Sequence, residues 1–302
     1  MGFSPLSLSS VLLACPLLIM ALLIFVFSDC LVSSRVRPVD ERLPDDLRLN
    51  RDESRRYISS DNVRDSASPH KQAVRLNLGE DLVRYLVDAD FRAHVDSLVE
   101  NPEEQIWSDV DSVDLRGSQV RSLNGLCGAV NLKNLDLSET GVHDITELST
   151  LFHLERLDLS NTLVDDISSL APLVNLQQLR LSRTAVQDIS GLRGLVTLKK
   201  LDLTLTDVQD LSPLCGLARL EHLDLAGTAV HDISVLVRLV NLRYLDLTGT
   251  QVEDLTPLHG LVRLEFLFLR RTPVQSLSVL ARLTNLQHVD LRNTALQHAN
   301  YY

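Results

Sequence analysis

A chain of 302 residues with 45% hydrophobic side chains can build a sizeable core, but only 4% are aromatic, so that core must be aliphatic. The net charge of −11 and pI near 5.2 argue against general affinity for nucleic acid or an anionic membrane surface. The four cysteines, Cys15, Cys30, Cys127 and Cys215, have neither disulfide-framework nor metal-ligand spacing.

In chain order, Gly2 to Ser28 carries no charged side chain, and Val11 to Phe27 is almost unbroken apolar sequence. Residues 1–32 therefore read as a signal peptide or a single membrane anchor, which makes the protein secreted or membrane-anchored. No Lys or Arg precedes the segment, and Arg35 and Arg37 follow it. As an anchor, it would by the positive-inside rule place the following chain in the cytoplasm. Residues 33–75 are polar and of mixed charge, the composition of a flexible linker. Residues 76–112 form a helical N-terminal cap in this reading, with Leu82, Tyr85, Leu86, Phe91, Val95 and Leu98 at amphipathic spacing before Pro102.

One period governs residues 113–302. Leucine or valine recurs every 22 residues from Val113 through Leu135 and Leu157 to Val289, and a second column runs from Leu115 to Leu291. Valine stands seven residues after the first column from Val120 to Val274, and Leu296 takes that place in the last unit. Eight full units and a partial ninth follow from this, the signature of a solenoid. Within a unit, Leu157 and Leu159 alternate around Asp158, a short strand with its leucines inward. Leu170, Leu173 and Leu176 are three apart, which suits a tight helical or 3₁₀ turn. Ser212-Pro213 and Thr256-Pro257 predict a hydroxyl N-cap with proline at the first helical position. The fold class is thus an α/β solenoid, a horseshoe or arc with a parallel sheet on one face and short helical turns on the other.

This pattern resembles the leucine-rich-repeat family, in its 22-residue internalin-like class, which also includes the protein-phosphatase-one regulatory repeat protein. The likeness is close over residues 113–296 and looser in the preceding helical segment. The chain departs from the family at Ser118 and at the threonines from Thr140 to Thr294, where asparagine is usual. A hydroxyl there can still bond the turn backbone, with fewer bonds per unit. The family's C-terminal cap has no counterpart here, so Tyr301 and Tyr302 are expected to fold over the last unit, or that end to pair with another chain.

Two acidic columns stand out. Asp144, Asp166, Asp188, Asp210, Asp232 and Asp254 precede each turn, and because a line of carboxylates is not a cation cage they read as turn-bonding side chains. The second column, Asp114, Asp136, Asp158, Asp202, Asp224, Asp246 and Asp290, lies on the strands facing outward. It reads as a solvated face or as an acidic surface for a basic partner. No catalytic constellation or metal pair is recognisable; His222 and His288 share a column but stand three repeats apart.

The strand side changes character along the chain. Early outward positions are small or charged, whereas Tyr244, Phe266, Phe268, Arg270, His288 and Arg292 are expected to make one exposed patch, with Arg271 at its rim and His222 beside it. Aromatics and arginine are enriched at binding hot spots, so these eight residues are the candidate binding site. The function expected is a non-enzymatic protein–protein interaction module without cofactor. Its partner is another protein and not nucleic acid, and it meets the membrane only through its N-terminal segment. The resemblance implies host-factor or cell-surface binding outside a cell and a phosphatase-regulator-like scaffold inside one. A structural component self-associating through the uncapped C-terminal end is the alternative.

Overall fold

A computed structural model describes residues 110–126 and 128–295. The N-terminal segment, the linker, nearly all of the cap, Cys127, Leu296, Tyr301 and Tyr302 lie outside the described residues. Nine three-residue strands follow in order: β1 Ser112–Asp114, β2 Asn134–Asp136, β3 Arg156–Asp158, β4 Gln178–Arg180, β5 Lys200–Asp202, β6 His222–Asp224, β7 Tyr244–Asp246, β8 Phe266–Phe268 and β9 His288–Asp290. They form one open parallel sheet in sequence order, each residue paired with its equivalent 22 positions on. The predicted register and solenoid architecture hold.

The strands are short because the ladder that joins the units continues beyond them. Leu137 N–H donates to Asp158 O at 2.8 Å, Glu139 N–H to Ser160 O at 2.9 Å, and Arg156 N–H reaches back to Lys133 O at 2.9 Å. The residue at the end of this ladder must turn sharply, and it does so at positive φ: Gly117, Gly227 and Gly249, but also Glu139, Asn161, Arg183, Leu205, Arg271 and Asn293.

Seven 3₁₀ helices lie opposite the sheet among the described residues, from Thr146–Thr150 to Ser278–Arg282. The leucines three apart carry these turns in their own backbones: Leu148 N–H donates to Ile145 O, Leu151 to Leu148 and Leu154 to Leu151, all at 3.0 Å. Repeated i→i+3 bonding keeps one apolar side inward at each step. The predicted hydroxyl caps are corrected. Ser212 and Thr256 are the first helical residues, preceded by Leu211 and Leu255, which make no side-chain cap bond. The carboxylate two residues back does the work instead: Ser212 N–H donates to Asp210 Oδ1 at 2.7 Å and Thr256 N–H to Asp254 Oδ1 at 2.8 Å. The same bond recurs at Asp144, Asp166, Asp188 and Asp232, so this acidic column is a turn-building one, as expected.

Each threonine from Thr140 to Thr272 is buried, and its hydroxyl donates to the carbonyl three residues back, as Thr206 does to Leu203 O at 2.7 Å. Ser118 Oγ makes no such bond among the described residues. Bonds from side chain to the preceding unit come from another column: Asn175 donates to Phe152 O, Asn241 to Ala218 O and Asn285 to Val262 O, at 2.7–2.8 Å.

One continuous aliphatic core runs through every unit, with most of its leucines wholly inaccessible. At the last strand, Val289 and the following Leu291 are only half buried. Leu203 and Leu225 are fully buried, as the register requires, but Asp202 and Asp224 are half-buried and not exposed as expected. The reason is local. Asp202 turns its carboxylate onto the strand end and accepts the Thr204 N–H at 2.9 Å, and Asp224 accepts that of Ala226 at 3.0 Å. Leu203→Ala should lower unfolding free energy by about 2–5 kcal/mol, since neighbouring units hold the cavity open. Chemical denaturation beside Asp202→Asn measures it; equal losses from the two substitutions would contradict the inward–outward assignment.

Candidate interaction face

Side chains at the first and third residue of each strand project from the sheet away from the leucines, because alternation along a strand is strict. Two columns result on this strand face. The first runs Ser112, Asn134, Arg156, Gln178, Lys200, His222, Tyr244, Phe266, His288, and the second holds the strand aspartates with Arg180 and Phe268 replacing two of them.

Over β2 to β4 the face is polar and internally neutralised. Arg180 pairs with Asp158 at 2.9 Å and Arg116 with Asp136 at 3.3 Å, around a shallow depression shared with Arg156 and Gln178. From β6 onward the face becomes aromatic. His222 and Tyr244 stack with ring centres 3.9 Å apart and planes within 7°. Phe268 bridges Tyr244 at 5.3 Å and His288 at 5.2 Å in tilted contacts. Tyr244, Phe266 and Phe268 form a hydrophobic cluster of their own, separated from the leucine core by the sheet.

The structure therefore brings the predicted residues together but corrects their exposure. His222, Tyr244, Phe266 and Phe268 are 4–7% accessible, not open to solvent. Parallel strands lie about 4.8 Å apart, close to ring-contact distance, so consecutive aromatics in register cover one another. What remains accessible is the border: His288 and Arg271 are exposed, and Arg270 and Arg292 partly so. Arg292 is engaged with Asp290, its Nε donating to Oδ1 at 2.9 Å. The Arg270 Nε and the His222 Nδ1 are both buried and lack a hydrogen-bond partner among the described residues.

Beside this cluster sits a feature that charge counting alone did not reveal. Asp202, Asp224 and Asp246 are in register on adjacent strands, with Arg180 before them and Phe268 after. Burial pushes the Asp224 carboxyl up to about 8, and the carboxylates of Asp246 and Asp202 on either side push it further in the same direction. Asp202 and Asp246 are also raised, again first by burial. The upward shift favours the protonated form of Asp224, which relieves the repulsion along the row. Burial likewise depresses His222 to about 3, helped by Lys200 and Arg180, so its ring is neutral. The outward aspartate column is therefore not a uniformly charged face.

No group of His, Cys, Asp and Glu suited to holding a metal ion occurs among the described residues, and Cys215 is an exposed free thiol. Residues 218–258 match the family profile for leucine rich repeats (two copies). No curated protein matches the sequence. Among solved structures, the chain is similar to an internalin of Listeria monocytogenes, InlF, at 28% identity and a TM-score of 0.64, over 70% of this chain and 65% of that one. It is similar to internalin C2 of the same organism at 29% identity and a TM-score of 0.58, over 59% of this chain and 79% of that one. A leucine-rich-repeat protein of Leptospira interrogans shares the fold at 22% identity and a TM-score of 0.60, over 65% of this chain and 52% of that one.

The two buried titrating groups give opposite pH slopes. Asp224 has a folded value above its unfolded 3.8, so its contribution to stability is complete below about pH 3.8 and is lost as pH rises toward about 8. The folded value of His222 lies below 6.5, so its contribution is complete above pH 6.5 and is lost as pH falls toward about 3. The slopes oppose each other at mildly acidic pH, and above pH 6.5 that of His222 is gone while that of Asp224 persists. Stability to denaturant should accordingly decline between pH 6.5 and about 8, and Asp224→Asn should flatten that decline. An unaltered slope in the variant would mean that Asp224 is ionised throughout.

The in-register 22-residue ladder, the nine-stranded sheet with its 3₁₀ turns and the matches to solved structures agree: this chain folds as a leucine-rich-repeat solenoid, similar to the internalins.

Proposed function

We propose that this chain is a non-enzymatic protein-binding module, exported or membrane-attached through its apolar N-terminal segment, whose strand face over β6 to β9 takes the partner. The observation that carries this reading is the aromatic cluster of Tyr244, Phe266 and Phe268 on the outer side of the sheet. The leucine core is complete without it, and the equivalent positions on β2 to β5 are polar side chains that support the same fold. Aromatics placed where polar groups suffice are the chemistry of a contact surface, and their mutual packing holds them in one arrangement before a partner arrives. Around them, His288, Arg270, Arg271 and Arg292 give a polar border. The unpartnered Arg270 Nε offers a donor that a carbonyl or carboxylate of the partner would satisfy.

Because the phenylalanines are packed, alanine there would damage the face itself; the border separates binding from stability. Arg270→Ala with His288→Ala should weaken capture of a partner by about tenfold or more, with a melting temperature within a few degrees of the parent. The check is pull-down by the full-length chain from surface-exposed and cytosolic fractions, followed by titration of the protein captured. Undiminished capture by the double variant would place the binding site elsewhere.

A further inference from the structure

Because all nine strands are parallel and in register, their C-terminal ends lie along one flank of the solenoid and their N-terminal ends along the other. The chain leaves the sheet along the first flank, crosses the 3₁₀ layer, and returns along the second. The two flanks carry opposite charge. On the departing flank the exposed aspartates from Asp144 to Asp254 are joined by Glu139, Asp165, Asp207 and Glu253, which together outnumber the exposed Arg116, Arg121, Arg183 and Arg271. The return flank carries Lys133, Lys199, Arg219, Arg238, Arg263 and Arg282 at exposed positions. Its glutamates are half-buried, and Glu265 is already paired with Arg243 at 2.7 Å.

The return flank also bears an apolar ridge. Val130, Phe152, Val174, Val196, Val240 and Val262 recur at the 22-residue period, each 48–54% exposed. Core packing does not demand them, since Ala218 and Thr284 occupy the same column. A solvent-facing position filled by valine or phenylalanine in most units, beside a column containing Arg219 and Arg263, has no internal explanation. The departing flank has matching apolar points. Leu163 is 67% exposed, and Leu205 is 49% exposed at φ 55, in a column whose other members are glycine, asparagine or charged residues. A leucine in that backbone region costs conformational energy and, exposed, gains nothing from the core.

We propose that copies of this chain stack side by side, the valine ridge and basic return flank of one lying against the acidic departing flank of the next. The contact is heterologous, so it can repeat from copy to copy into an array or a ring, and it leaves the strand face uncovered. It is separate from the binding reading above and uses none of its residues except Arg271 at the common rim.

The test uses full-length chain in non-ionic detergent, mixed from isotopically heavy and light preparations and joined by a zero-length amine–carboxyl cross-linker. Heavy–light peptide pairs should connect Lys133 or Lys199 to the Asp144–Asp254 column. Sedimentation should show association that rises with concentration and dissolves at about 1 M salt, where the screening length is about 3 Å. Val174→Asp with Val196→Asp, both at exposed positions, should weaken it about tenfold or more while the circular dichroism spectrum is retained. Lys199→Glu with Arg219→Glu, and separately Asp165→Lys with Asp207→Lys, should each weaken self-association, and mixing those two variants should restore it. A monomer at all concentrations, cross-links confined to the strand face or the C-terminal end, or indifference to the valine substitutions would overturn the proposal. So would capture of the ridge by anionic vesicles in place of a second copy.

Discussion

A 22-residue unit holding one three-residue strand and a single 3₁₀ turn cannot exclude water from its own leucines; only the units on either side can. That constraint dictates the rest. Every unit must repeat its leucines at the same places, every backbone ladder bond must reach the next unit, and every turn must close within the same residue count. Leu137, Leu159 and their equivalents reach zero accessibility only because identical neighbours lie above and below.

Turn chemistry is where the chain meets that demand with unusual residues. Threonine in place of asparagine bonds within its own unit, through the carbonyl three residues back. Cross-unit side-chain bonds shift to Asn175, Asn241 and Asn285, with Thr197 taking the same place in its unit. Both aspartate columns do equivalent work at different corners, each accepting the N–H two residues on. Charge on this molecule is therefore first a device for making turns. An acidic pI of about 5.2 follows from repeating two such corners many times.

The period, the register and the inward set were legible because they depend on spacing alone, which a sequence states outright. The patch was legible as a location, since Tyr244, Phe266 and Phe268 share a face by strand alternation. Its burial was not legible, because that depends on how rings at adjacent strands lie against one another, a matter of about 5 Å between neighbours. Nor was the fate of the aspartates. Asp158 and Asp224 occupy the same column and read identically, yet one faces Arg180 and the other sits between two carboxylates in a shielded row. The helix starts were misplaced by one residue for a related reason: serine and aspartate both bond helix-start amides, and only the backbone geometry shows that Ser212 is already helical and Asp210, ahead of the Leu211 cap position, accepts its N–H.

Repetition also separates structural from functional columns. A column that is constant and has internal bonds, such as the buried threonines, is explained by the solenoid. One that drifts, such as Arg156, Gln178, Lys200, His222, Tyr244, Phe266, is not dictated by the fold. The valine ridge is of a third kind, nearly constant yet with side chains half in water and interchangeable with alanine and threonine. Regularity without an internal cause points to a partner that is itself regular along the same axis. A second copy of the chain has that regularity at the same spacing, and its departing flank carries the charge opposite to the arginines beside the ridge.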